Sequence, residues 1–202
     1  MPIYYPMRTL VNTVLLCSVL VSMSSAAPPV YVLDSNTAFY EGEIHAYVAS
    51  PPTGFKLVTG DAIDDGYSFA FIPESQAYDS ADVHIGVTIL KLGENRFDSV
   101  VAADTSQVRE HYGDGVTIRT VDSLFNFHGA HVPTIYIDDK ARFISTVMVS
   151  YCDGGSEIVI FELNIVEGGL PRFLAESVYT QCLHRFKMLK KGELSQDGLQ
   201  RL

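Results

Sequence analysis

The chain has 202 residues, 47% hydrophobic and 19% charged, with 11 Tyr and 11 Phe, so it can bury a core and is no disordered tail. Lys and Arg total 14 against 24 Asp and Glu, a net charge of −10. That balance argues against nucleic acid and anionic membrane surfaces as partners, because both are bound by clustered cations that displace counterions.

Residues 1–26 have the layout of a secretory signal: Arg8 as the only charge, an apolar run from Leu10 to Val21, then a small polar stretch ending at Ala26. A run of about twelve residues is short of the roughly 20 that span a bilayer. Cleavage is therefore expected between Ala26 and Ala27, giving an exported chain, periplasmic or secreted, with no membrane span. Cys17 follows Leu16, where a lipidation signal carries a small residue, so a lipid anchor is not expected. Loss of Arg8 takes the net charge from −10 to −11. The remaining length suits one domain.

Residues 27–53 read as an N-terminal arm, with Pro28 and Pro29, a weakly alternating stretch from Ile44 to Val48, and a break at Pro51-Pro52-Thr53-Gly54. Phe55 to Val58 and Tyr67 to Ile72 are rich in aromatic and β-branched residues and flank a Gly/Asp turn, which predicts a hairpin. Val83, Ile85, Val87 and Ile89 recur at period two and predict a third strand. The period then becomes helical. Phe97, Val100, Val101, Asp104 and Val108 predict a helix from about Arg96 to Tyr112, stopped by Gly113 and Gly115.

Val116 to Val121, Val132 to Ile137, Arg142 to Cys152 and Glu157 to Val166 resume strand character, the last two joined by the turn Asp153-Gly154-Gly155-Ser156. Pro171 opens a second helix whose expected stripe is Phe173, Leu174, Val178, Cys182, Phe186 and Leu189, with residues 190–202 as a polar tail. The last strand, Glu157 to Val166, is apolar on both faces. The expectation is therefore α+β, a single domain over residues 54–189: an antiparallel sheet of about six to seven strands packed with two main helices in an αβα sandwich.

Two cysteines follow the leader, Cys152 and Cys182, and an exported compartment lets them persist as a disulfide. The bond would close a loop of about 30 residues, contributing roughly 3–4 kcal/mol. Two buried reduced thiols are the alternative. Neither stands beside a recognisable base or redox motif.

The order of elements resembles the PsbP-like fold, shared by an extrinsic photosystem subunit, a nuclear import factor and exported bacterial proteins. The resemblance is carried by Gly54-Phe55-Lys56-Leu57-Val58 as opening strand, Gly66 to Pro73 as its hairpin partner, and Phe97 to Tyr112 as the helix after the third strand. Gly115 to Val121 is similar to the return strand, Arg142 to Val166 to the central hairpin and Leu170 to Leu189 to the closing helix. The absence of Trp and the two cysteines depart from it. The resemblance implies a non-enzymatic binding or assembly module and brings no catalytic residues, and a fold does not fix a function.

His128 and His131, three residues apart, could approach one Zn²⁺ with a turn carboxylate, which frames the alternative of a small metal-dependent hydrolase. Gly129 and Pro133 disfavour a helix there, and no flanking Glu offers a base, so two loop histidines are the plainer reading. Asp61, Asp64 and Asp65, together with Asp138 and Asp139, lack the spacing of a calcium loop but could form an acidic edge that steers a basic partner. There is no Gly-x-Ser-x-Gly elbow and no phosphate loop, and no acidic pair is flanked in a way that predicts a raised pKa. The reading is an exported, non-catalytic module without cofactor or metal. It binds another protein, basic or envelope-located, in a bacterial envelope, and an inhibitor or immunity protein is one specific form.

Overall fold

The computed structural model describes residues 31–33, 36–112, 117–121, 134–139, 144–166 and 169–191. The described chain runs β1 (Tyr31–Leu33), β2 (Thr37–Glu41), β3 (His45–Ala49), β4 (Phe55–Val58), α1 (Gly60–Asp64), β5 (Phe69–Pro73), a 3₁₀ turn (Tyr78–Ser80), β6 (Val83–Lys91) and α2 (Phe97–Tyr112). It continues with β7 (Thr117–Val121), β8 (Thr134–Asp139), β9 (Ile144–Asp153), β10 (Glu157–Val166), α3 (Arg172–Arg185) and β11 (Lys187–Lys190).

Seven strands form one antiparallel sheet in the order β4-β5-β6-β10-β9-β8-β7, as the α+β expectation required. Its centre is β10, which pairs with β6 from Glu157–Lys91 to Ile165–Val83 and with β9 on its other side. The β9–β10 turn is closed by Gly155 at φ 80°, a conformation that glycine adopts without the clash of a Cβ.

Side-chain alternation assigns the two faces. On one, Val159, Phe161, Leu163 and Ile165 of β10 join Val83, Ile85, Val87 and Ile89 of β6 and Phe69 and Phe71 of β5. Ala175, Tyr179, Cys182 and Leu183 of α3 pack onto this face, and the Tyr179 hydroxyl donates to the Phe161 carbonyl at 3.0 Å. The opposite face carries Ala70 and Ile72, which with Ala62 of α1, Tyr67 and Tyr78 make a smaller cluster. It also carries Tyr151 and Glu162, over which α2 lies through Asp104, whose partner is the Tyr151 hydroxyl. Helices therefore cover both faces.

The structure departs from the sequence reading at both ends. Residues 31–49, expected as part of an arm, contain three strands, which β11 completes as a separate sheet in the order β1-β2-β3-β11. The strand β3 was hard to read because four of its five residues are buried, which removes the polar-out alternation. The closing helix stops at Arg185, earlier than the apolar spacing through Leu189 suggested, because Phe186 is extended and turns the chain into β11. Phe186 then stacks on Tyr47 at 5.9 Å, Tyr47 stacks on Tyr40 at 5.6 Å, and Phe186 meets Phe161 edge-on at 5.0 Å. These aromatic pairs join the small sheet to the large one.

The buried face of α3 is also rotated from the expected stripe. Ala175, Tyr179, Cys182, Leu183 and Phe186 face the core, whereas Phe173 is 70% and Leu174 41% exposed. The turn expected between β4 and β5 is the short helix α1, which begins with Thr59 O accepting from the Ile63 N–H at 2.9 Å. Among the described residues, no helix is long and apolar enough to cross a membrane.

Candidate functional site

Two carboxylates that the sequence hides inside apolar runs meet beneath α2. Asp104 occupies the inward stripe of that helix, one turn after Val100, and is 5% exposed. Glu162 stands in the middle of β10, opposite Gly86 on β6 and Val149 on β9, and is 4% exposed. Carboxylates are seldom buried so completely without a partner, so their hydrogen bonds decide what they do.

Tyr151 on β9 donates to Oδ2 of Asp104. Asn164, two residues after Glu162 and on the same sheet face, donates from Nδ2 to Glu162 Oε1 at 3.0 Å and to the Tyr67 hydroxyl at 3.1 Å. The Tyr67 hydroxyl in turn hydrogen-bonds the Glu162 carboxylate. Gly86 makes room for this arrangement, since a Cβ there would overlap the Tyr67 ring. A carboxylate, a phenol and an amide thus form one connected network from β10 to the strand β5 entry, with the Asp104–Tyr151 bond beside it.

Burial pushes the Asp104 carboxyl up to about 6, against the opposing Tyr151 hydrogen bond. Burial likewise raises Glu162 to about 7, and the negative charge of Asp104 adds to the rise while Asn164 and Tyr67 oppose it. Tyr67 and Tyr151 are held well above the ordinary phenol range by burial first and then by the neighbouring carboxylates. The sequence reading anticipated no acidic pair with raised pKa, and here it is overturned. The signal was legible: one carboxylate on an apolar helical stripe and another in an apolar strand.

A third buried carboxylate, Glu157 at the start of β10, binds the small sheet. It accepts the Glu43 N–H at 2.7 Å, the Tyr47 hydroxyl at 3.1 Å and the Ser156 hydroxyl at 2.6 Å. Close by, His45 Nδ1 lies 2.9 Å from the Gly154 carbonyl oxygen. A Cβ at Gly42 would stand 2.8 Å from Glu157 Oε2, and one at Gly154 would overlap the Tyr47 hydroxyl, so two glycines let the β2–β3 turn close over the carboxylate.

The residues singled out by sequence fall elsewhere. Asp61 and Asp64 are exposed on α1 and Asp65 is half-buried just after it, at the C-terminal end of β4, one edge of the large sheet. Asp138 and Asp139 end β8, five strand positions away and next to the other edge. Five antiparallel steps make β4 and β8 antiparallel, so the two groups lie at opposite ends of the sheet. The structure does not bring them into one acidic edge, because the pairing order separates segments that only composition had grouped.

Cys152 and Cys182 are free thiols, the second of the two readings that the sequence left open. Cys152 faces inward from β9 and Cys182 from α3, within the same apolar cluster, where they act as small hydrophobic side chains. Burial pushes the Cys152 thiol up to about 12 and raises Cys182 as well. His128, His131, Ala26 and Ala27 lie outside the described residues.

No family model matches the chain. No curated protein matches it either. Among solved structures the chain is similar to the solution structure of cyanobacterial PsbP (CyanoP) from Synechocystis sp. PCC 6803. The two share 12% sequence identity with a TM-score of 0.46, over 77% of this chain and 94% of that one. The seven-stranded antiparallel sheet stands on this chain's own strand pairing, and the helices on its faces on their own contacts.

Proposed function

We propose that this protein is an exported, non-catalytic module that binds another protein in a bacterial envelope, with an inhibitor or immunity protein as its specific form. One observation carries the reading. The carboxylates with the most useful acid–base range, Asp104 and Glu162, are buried and hydrogen-bonded, Asp104 to Tyr151 across the gap between helix and sheet and Glu162 to Asn164 and Tyr67 within the sheet, so their geometry ties structure together instead of facing a substrate. The signal-like leader supports export, and a net charge of −11 after its removal suits a basic partner.

The test is capture from envelope extract on immobilised chain 27–202 at low ionic strength, with elution by rising salt. The expected result is a discrete basic protein, held at low salt and released as screening increases. Retention of nothing beyond what a comparably acidic control protein retains overturns the reading.

A further inference from the structure

The polar cluster beneath α2 joins two negative groups from two elements. Asp104 comes from the helix and Glu162 from the sheet, both nearly without solvent, and the Asp104 charge acts on Glu162 through the low dielectric between them. The groups facing the pair are Tyr151 from β9, Asn164 from β10 and Tyr67 from the segment entering β5. Around Tyr67 stand Tyr78 of the 3₁₀ turn and Asp65, and His84 of β6 pairs in register with Asn164. The His84 ring packs edge-on against Tyr78 at 4.9 Å, and its Nε2 is 2.8 Å from the Tyr78 carbonyl oxygen. Asp98, Arg109 and Glu110 of α2 are exposed. The charged group that acts on Glu162 is Asp104, itself an acid.

We propose that α2 is a pH-sensitive cover: it seats firmly while the Asp104 and Glu162 carboxyls keep protons, and it loosens when both ionise, admitting water to the polar sheet face beneath. Ionising both places two negative charges between helix and sheet, where the donors to them are neutral: the Tyr151 and Tyr67 hydroxyls and the Asn164 amide. Such a pair is unfavourable in a low-dielectric site, and moving the helix is the way to hydrate it. The bond between Tyr151 and Asp104 crosses that gap, so its strength is felt by the helix as a whole. Protonation of Asp104 and Glu162 at low pH removes the repulsion. The raised acid range of both carboxyls puts the change between about pH 5 and pH 8.

Amide hydrogen exchange of the full chain 27–202 at pH 5 and pH 8, corrected for intrinsic exchange, tests this by comparing α2 with α3. The wild type should lose at least about tenfold of α2 protection from pH 5 to pH 8 relative to α3, the change expected for about one unit of pKa shift. Asp104→Asn with Glu162→Gln should flatten that drop to within about twofold. If α2 and α3 change in step, or the double variant keeps the wild-type drop, the proposal fails. Should the double variant not fold, Glu162→Gln alone decides: a reduced drop supports the cover, and an unchanged drop overturns it.

Discussion

The Tyr151 hydroxyl of β9 donates to the Asp104 carboxylate of α2, a bond that spans the space between the sheet and the helix covering it. Tyr151→Phe removes the donor and leaves a buried carboxylate with one partner fewer. The expected cost is about 1–3 kcal/mol at pH 8, by chemical denaturation, and smaller at pH 5, where the protonated carboxyl needs the donor less.

The acid–base range of the pair sets the pH dependence of stability. Asp104 and Glu162 titrate at about 6 and about 7 in the fold, above their unfolded values, so the folded state binds more protons. Their contribution is present in full below about pH 4 and is lost as pH rises through about 6 to 7. Stability measured by denaturant titration should fall on the order of 2–4 kcal/mol from pH 5 to pH 8, and Glu162→Gln should remove part of that slope.

Gly86 sits against the Tyr67 ring, opposite Glu162 in the β6–β10 register. Gly86→Ala drives a methyl into that ring, and the expected loss is roughly 1–3 kcal/mol, typical of overpacking. A lowered melting temperature with unchanged far-ultraviolet circular dichroism checks it. An unaltered melting temperature would mean that the ring does not rest there.

Glu157 ties the β2–β3 turn to β10 through three acceptor bonds. Glu157→Ala leaves the Tyr47 hydroxyl buried without this acceptor and should cost about 2–4 kcal/mol. The loss should concentrate in the small sheet, read as faster amide exchange in β2 and β3 than in β9 and β10.

Cys152 and Cys182 are free and buried, and burial holds both thiols protonated. In native chain 27–202 a thiol-reactive dye should label neither, and after denaturation it should label both cysteines. Loss of label after denaturation, restored by reductant, would show a disulfide instead.

The parts of the fold that were legible in the sequence are those whose periodicity is strong. The β6 alternation from Val83 and the β9–β10 hairpin around Asp153 to Ser156 appear where expected, and α2 starts and ends within a residue of the reading. The N-terminal strands were obscured by the burial of β3 on both faces, and β11 because its apolar residues continue the helical spacing of α3. The two acidic groups are set apart for a different reason, since strand order, which composition does not carry, separates α1 from β8. Asp104 was on the apolar stripe from the start. Glu162, a lone carboxylate in an apolar strand, was equally visible; what local sequence could not supply was that Glu162 and Tyr151 come to Asp104, because they stand on strands whose pairing is nonlocal.

Titration of the Asp104 and Glu162 carboxyl carbons by ¹³C NMR tests most directly whether these groups are sealed into the fold. Midpoints near 6 for Asp104 and near 7 for Glu162 are the expected outcome. Midpoints near 4 for both, the ordinary range of solvated carboxylates, would contradict it, since each group would then be reachable by water and open to a ligand.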